Sequence, residues 1–414
     1  MTPASPRTCG AAATRHESGA FPVTVRTQDL EPAASDNAGL AGGSHTSARQ
    51  RYYRPELDVL RFFAFFLVFL SHVVPGDEEF FAQAHVSPNV AGLIVALSAG
   101  GAFGVDLFFT LSSFLITTLL LREREMCGSI DLSSFYLRRM LRIWPLYFVF
   151  LLIVSPLMQY VLPDESIPLK YVLAFVLLSG NWAYFLWGYP HSVTGPLWSV
   201  SIEEQFYLGW PLVVRRWGDR LVIVASALLI VSFITRLCLV IHGAIHPQLW
   251  CNTLARLDPI ACGALLAVHV EREKLAISPW MRIVLLLSGG AVLVTAGRYG
   301  DFVGTKALLT FPAVTAACIA LILGTLGLRG PSSRRPIVRA LTYLGRISYG
   351  LYVFHWMFVR VFEVPSMHTP FARSAKAVAA LIATVATAAA SYHFLEKPFL
   401  RLKEQFAHVQ SRPI

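Results

Sequence analysis

The feature that most constrains this chain is a succession of apolar runs, each long enough to cross a lipid bilayer. A transmembrane helix needs about 20 apolar residues. Only 14% of the 414 residues are charged and 55% are hydrophobic, which is about half the charge of a typical soluble domain. The sequence therefore predicts an all-α, polytopic integral membrane protein. Nine spanning runs lie near 57–75, 93–121, 141–161, 220–242, 253–270, 281–298, 306–328, 339–362 and 374–395.

Two further apolar runs, 169–187 and 198–214, leave the number of crossings open. If both cross, the basic segments 215–220 and 329–339 lie outside, against the positive-inside rule. We therefore expect 169–187 to stay on the outer side as a re-entrant or interfacial segment. Every basic loop is then cytoplasmic, and the fold is a bundle of about ten transmembrane helices with both termini in the cytoplasm.

The two ends of the chain differ from this bundle. Residues 1–50 are rich in Ala, Gly, Ser, Thr and Pro and lack the apolar segment of a signal peptide, so we expect a disordered cytoplasmic tail. A transmembrane domain over 51–400 and a short cytoplasmic tail over 401–414 complete the chain. The net charge of +10 lies in short arginine clusters between apolar runs, which argues against nucleic-acid binding. No cysteine pair has the CxxC spacing of a metal site.

The first apolar run carries an arginine and a histidine, Arg61 and His72. Eleven residues make about three helical turns, so both side chains share one helix face about 16 Å apart. A charge deep in a bilayer costs a few kcal/mol and usually marks function. The alternatives are that Arg61 reaches the headgroups and that His72 is merely interfacial. Histidine titrates near neutrality, so it can take a proton from a hydroxyl nucleophile.

Arg61 and His72 open a series of motifs that covers nearly all of residues 54–399. Together the motifs resemble acyltransferase family 3, whose members O-acylate cell-surface polysaccharides, lipooligosaccharides and some macrolides. At one position, Ser113, the family usually has glycine, and the extra hydroxymethyl group could narrow a helix contact or the acyl path. The seven motifs are RPELDVLRFFAFFLVFLSH (54–72), GAFGVDLFFTLSSFLIT (101–117), YLRRMLRIWPLY (136–147), LWSVSIEEQFYLGWP (197–211), ARLDPIACGALLA (255–267), LGRISYGLYVFHW (344–356) and FLEKPF (394–399).

The resemblance implies an enzyme of the bacterial cytoplasmic (inner) membrane. Such an enzyme would move an acyl group, most simply acetyl, from acyl-CoA as co-substrate to a hydroxyl of a cell-surface polysaccharide or lipid-linked sugar. No permanently bound cofactor or metal is implied. The acceptor could instead be a macrolide or another secondary metabolite. A transporter of a lipid-linked glycan without catalysis is the alternative from another class, although the sequence shows no inverted repeat.

The family resemblance gives the basic residues near the third helix a role. Coenzyme A carries several phosphates, and arginines bind phosphate oxygens bidentately. We therefore expect Arg138, Arg139 and Arg142, with Arg61, to hold the donor. The alternative is an ordinary positive-inside anchor.

Two adjacent acids, Glu203 and Glu204, follow two serines that could cap their helix, Ser199 and Ser201. Capping would explain one acid. The other could orient or charge His72, and we favour Glu204 for that catalytic role.

The remaining candidates are polar residues inside apolar runs. A lone carboxylate at Asp106 needs a partner, for which we expect Arg61 or an arginine of the third helix. Arg256 and Asp258 could pair with each other or contact the acceptor.

A polar stripe in a late run comprises Ser348, Tyr352 and His355 at helical spacing. Such a stripe must face the interior of the bundle, where it could bind substrate or join helices by hydrogen bonds.

Overall fold

The computed structural model describes residues 52–406 except 77, 274, 301, 329–334 and 368. The expected tail over 1–50 lies outside the described residues. The described chain is helical and contains no strand, which confirms the all-α class. The helices are α1 (Pro55–Val73), α2 (Glu78–Gln83), α3 (Pro88–Gly101), α4 (Gly104–Cys127), α5 (Leu132–Val149), α6 (Ser155–Met158), α7 (Leu169–Val176), α8 (Gly180–Trp187), α9 (Leu197–Trp217), α10 (Leu221–Ile241), α11 (Gln248–Cys251), α12 (Leu257–Arg272), α13 (Pro279–Tyr299), α14 (Ala307–Thr325), α15 (Pro336–Arg346), α16 (Ser348–Val361), α17 (Pro370–Ser391) and α18 (Lys397–Glu404).

Several helical segments are long enough to cross a bilayer. Within the described residues, six segments combine the required length with sufficient hydropathy. Four of these contain two helices each: α3 with α4, α5 with α6, α9 with α10 and α17 with α18. This supports a multi-pass membrane protein, while the count of ten and the cytoplasmic termini stay predictions. The segments are Pro88–Cys127, Leu132–Met158, Leu197–Ile241, Pro279–Tyr299, Ala307–Thr325 and Pro370–Glu404.

The apolar run 169–187 is broken into α7 and α8, of eight residues each. Eight helical residues span about 12 Å, less than half of a bilayer core. The break includes Leu178, whose φ is 55°. Gln205 of α9 donates to the Leu178 carbonyl at 2.9 Å and to the Asn181 side chain at 2.8 Å. A backbone that leaves helical geometry is thus given polar partners from the protein.

Helix α1 packs against α3, α4, α15 and α16. Glycines allow the closest approaches, as expected for helices that associate in lipid without a hydrophobic driving force. A Cβ at Gly101 would lie 2.4 Å from the Leu67 carbonyl oxygen, and one at Gly104 would lie 2.3 Å from that of Ala64. Helix α4 packs in turn against α12, and α5 against α9 and α18. These contacts place α1, α4, α5, α9, α16 and α18 around one cavity.

Candidate active site

A large cavity lies at the end of the bundle where α1 and α5 begin, here called the basic end. The space between its wall atoms is about 1580 Å³, part of it open to solvent. Apolar residues of α4, including Phe108 and Leu115, form one wall. The cavity is therefore a basic mouth that leads into an apolar interior. The cations in its lining are Arg54, Arg61, Arg138, Arg139, Arg142 and Lys403.

The cations of the cavity differ in their partners. Arg61 lies 3.8 Å from Asp58, and Arg138 forms a 2.9 Å ion pair with Glu123. In the described part of the chain, no carboxylate forms an ion pair with Arg139, Arg142 or Lys403.

Arg139 packs instead on aromatic rings. Its guanidinium carbon lies 5.1 Å from the ring centre of Tyr207 and 5.8 Å from that of Phe135. The cavity therefore holds cationic groups that an anionic ligand could neutralise.

The two adjacent acids of α9 point to different neighbours. Glu203 lines the cavity and accepts hydrogen bonds from Ser112 at 3.0 Å and from Tyr207 at 2.9 Å. Glu204 is 4% exposed and accepts a 2.9 Å bond from Trp144 of α5. The structure brings neither acid into hydrogen-bonding contact with His72.

The expected capping by serines is wrong. Helix α9 begins at Leu197, so Ser199 and Ser201 lie inside it. Their hydroxyls donate back to the carbonyls of Pro196 and Leu197. Pro196, the residue before α9, has φ −65° and ψ −18°, close to helical values, so the helix begins two residues before Ser199.

Two histidines meet at the other end of α1, here called the histidine end. The ring centres of His72 and His355 are 5.2 Å apart. The His72 Nδ1 lies 2.7 Å from the Val68 carbonyl oxygen, and the His355 Nδ1 lies 2.6 Å from that of Tyr352. Because a carbonyl oxygen only accepts, Nδ1 carries the hydrogen in both rings and Nε2 keeps its lone pair. Both histidines are therefore oriented as proton acceptors.

The two histidines differ in their exposure to solvent. His72 is partly exposed, whereas His355 is 0% exposed and its Nε2 has no hydrogen-bond partner among the residues that the structure describes. Trp356 lies over His72 at a ring distance of 4.9 Å.

The cavity ends before it reaches the histidines. Its inner end is lined by Ser199 and Tyr352, whose hydroxyls are 2.7 Å apart. The Tyr352 ring then contacts that of His355, with 5.5 Å between ring centres. Arg61 and Ser348 line the cavity, but His72 and His355 do not. All three residues of the polar stripe are buried, and Ser348 and Tyr352 line the cavity.

The expected partner of Asp106 is wrong. Its carboxylate binds Arg256 of the segment before α12 at 2.8 Å, with both side chains 0% exposed, rather than Arg61 or an arginine of α5. The Arg256 guanidinium also lies 4.4 Å from the Trp250 ring centre. The contact joins positions 150 residues apart, so no local pattern could reveal it.

Arg256 and Asp258 do not pair with each other. Asp258 binds Arg236 of α10 at 2.8 Å and accepts a further bond from Thr315 of α14. Residues two apart at the start of a helix point in different directions, which is why the local pair does not form. The two buried ion pairs, Asp106 with Arg256 and Asp258 with Arg236, and the bond from Thr315 connect α4, α10, α12 and α14 outside the cavity lining.

Three further residues build the site without having been expected from the sequence. Lys403 lines the cavity from α18, in the segment expected to be a tail. Glu123 positions Arg138, and Ser112 positions Glu203. Apolar and basic residues alternate over 397–406, and this pattern could have predicted that α18 is an amphipathic helix.

The residue that departs from the family pattern, Ser113, lies in the contact between α4 and α12. Its hydroxyl donates to the Ile260 carbonyl, and a Cβ at Gly263 would lie 3.1 Å from the Ser113 Cβ. Ser113 does not line the cavity. It therefore narrows a helix contact and not the path of the ligand.

Among the described residues, no three His, Cys, Asp or Glu side chains cluster as metal ligands would.

The chain is similar in sequence to two curated proteins. The chain is 27% identical over 352 residues to the peptidoglycan O-acetyltransferase OatA of Listeria monocytogenes, covering 78% of this chain and 55% of the relative. It is 28% identical over 353 residues to the O-acetyltransferase OatA of Staphylococcus aureus, covering 78% and 57%. The chain thus spans little more than half the length of these relatives.

No solved structure matches the chain significantly. The profile of acyltransferase family 3, described as an acyltransferase domain, matches residues 54–393. Because that match covers most of the chain, from the start of α1 to the end of α17, the protein belongs to acyltransferase family 3.

Proposed function

We propose that the protein is a membrane-bound O-acetyltransferase that moves an acetyl group from acetyl-CoA to a hydroxyl of a cell-surface polysaccharide. Peptidoglycan is the first candidate acceptor, because relatives that share the matched region carry the name O-acetyltransferase and one is named for peptidoglycan. The observation that carries the donor assignment is the set of cavity cations without carboxylate partners. Cations taken out of water need a compensating charge, which the phosphates of coenzyme A supply.

The donor lies in the cavity with its phosphates at the mouth and its thioester at the inner end. Arg139 and Arg142 bind its phosphates with Arg61 and Arg138, whose own carboxylate partners hold them in place. The pantetheine arm extends along the apolar wall of α4. The thioester then arrives at the inner end of the cavity, near Ser199 and Tyr352.

The histidine end supplies the base. Nε2 of His72 accepts the proton of the acceptor hydroxyl, and the oxygen attacks the carbonyl carbon of the thioester. The C–S bond breaks, the thiolate leaves, and the His72 imidazolium returns the proton to sulfur. A route in which His72 first carries the acyl group remains the alternative mechanism. Either route requires the hydroxyl contact between Ser199 and Tyr352 to open, since it separates the cavity from His72.

The positions of the cavity cations and of His72 suit a reaction across a membrane. The cations lie where α1 begins and His72 lies where α1 ends, eleven positions after Arg61. The donor therefore binds at one end of the helix bundle, and the acceptor is activated toward the other. In the expected topology the donor end is cytoplasmic.

The test replaces His72 and a matched control histidine. His242 also ends a helix and also directs Nδ1 to the carbonyl four residues earlier, at 2.8 Å, but it is exposed. We expect His72→Ala to abolish acetylation of peptidoglycan from acetyl-CoA, and His242→Ala to retain it. Acetyl transfer is read by mass spectrometry of the glycan, and membrane level by immunoblot. Full activity of His72→Ala would overturn the assignment of the base.

The same preparation tests donor and acceptor separately. Release of free CoA thiol that depends on added glycan supports the complete proposal. Thiol release with a macrolide but not with glycan would replace the acceptor and keep the donor. Acetylation of glycan without any use of acetyl-CoA would refute the donor assignment.

A further inference from the structure

The last helix, α18, contributes a cation to the cavity. Its Lys403 lines the mouth and lies within electrostatic range of Arg138, Arg139 and Arg142. Like charges at such distances repel. Six cations line the cavity against three acids, Asp58, Glu123 and Glu203, so without a bound anion the position of Lys403 is electrostatically unfavourable.

The end of α18 is nevertheless held at the cavity by one bridge. Arg138 donates to the carbonyl oxygen of Phe406 at 2.6 Å through Nη1 and to Glu123 at 2.9 Å through Nη2. The arginine that we assign to the donor phosphates is thus also the arginine that seats this helix. Binding of the donor and seating of the helix share one side chain.

The rest of α18 is loosely packed. None of its eight residues is buried, and two of its apolar residues, Phe399 and Leu402, are 38% and 42% exposed, while Leu400 packs against the core. A turn of π-helix over Tyr392–Glu396 joins it to α17. π-Helical turns interrupt regular hydrogen bonding and are frequent at functional sites. Few buried contacts and an irregular junction make α18 an element that can open locally.

We propose that α18 is a clasp over the donor cavity, which closes when the phosphates of the donor neutralise the cations around Lys403. The proposal rests on the assignment of coenzyme A as donor and adds Lys403 to its ligands. In the open state, repulsion from the three arginines favours release of the helix. In the closed state, Lys403 contacts phosphate and Arg138 holds the Phe406 carbonyl.

The test compares two cations of the same helix. Lys403 faces the cavity, whereas Arg401 is exposed and does not line it. Full-length protein in nanodiscs is titrated with coenzyme A by calorimetry. We expect Lys403→Ala to weaken binding about tenfold, as for loss of one charged hydrogen bond. Arg401→Ala should stay within about twofold, and Lys403→Arg should restore most of the affinity.

Hydrogen exchange of the backbone over 397–406 reports closure of the clasp. Saturating coenzyme A should slow exchange in the native protein and in Arg401→Ala, but not in Lys403→Ala. Pantetheine, which lacks phosphates, should slow it in none. Equal affinity and equal protection in Lys403→Ala and Arg401→Ala, or protection by pantetheine, would overturn the clasp and leave the donor standing. Failure of the native protein to bind coenzyme A would instead overturn the donor assignment, and the clasp with it.

Discussion

The buried pair of Asp106 and Arg256 offers the sharpest test of how this bundle is held together. The two charged groups are 2.8 Å apart and 0% exposed. At an effective dielectric constant of about 20, their attraction is about 6 kcal/mol, part of which offsets the cost of desolvation. Removing one partner leaves an unpaired charge inside the bundle. Asp106→Asn and Arg256→Gln should therefore each lower the free energy of unfolding by about 3–5 kcal/mol.

A double-mutant cycle separates this interaction from general damage. We expect a coupling energy of about 2–3 kcal/mol between Asp106 and Arg256. Unfolding is followed by tryptophan fluorescence in mixed micelles of increasing denaturing detergent. The control cycle uses Arg122 and Glu271, which pair at 2.9 Å but are 26% and 17% exposed, so their coupling should stay below about 1 kcal/mol. Additive effects at Asp106 and Arg256, or single losses below about 1 kcal/mol, would refute the reasoning.

Three further outcomes are expected. Arg139→Ala and Arg142→Ala should each raise the KM for acetyl-CoA about tenfold with kcat nearly unchanged, because a charged hydrogen bond to phosphate is lost; a lower kcat at constant KM would contradict this. Gly263→Ala places a Cβ 2.4 Å from a carbonyl oxygen and should cost about 1–3 kcal/mol of stability in the same unfolding assay, whereas Gly290→Ala, with nothing within 4 Å, should cost none. Tyr352→Phe removes the hydroxyl that contacts Ser199 in the cavity lining. If that contact separates the cavity from His72, the change should raise thiol release from acetyl-CoA without acceptor; an unchanged rate would show that the contact is no barrier.

Much of the fold could be predicted from local patterns in the sequence. Hydropathy identified a multi-pass helical membrane protein, because a bilayer demands apolar helices of fixed length. The spacing of Arg61 and His72 placed both on α1, and the basic cluster of α5 lies at the cavity as expected. The motifs identified the family, which the profile over 54–393 confirms.

The neighbours of each side chain depended on how the helices pack. Adjacent positions on α9 differ by about 100°, so the sequence could not tell that Glu203 faces the cavity while Glu204 meets Trp144. Pairing of Asp106 with a residue 150 positions away needs the contact of α4 with the start of α12.

The sequence by itself determined the class of molecule and its chemical inventory: apolar helices, an arginine and a histidine on α1, and cations near the start of α5. Tertiary structure alone decided which of these groups share a cavity, that the hydroxyls of Tyr352 and Ser199 meet in its lining, and that Lys403 returns from the far end of the chain to its mouth. Hydropathy and helical period describe the chain over a few helical turns. An ion pair or a cavity wall depends instead on the register and rotation of helices that are distant in sequence.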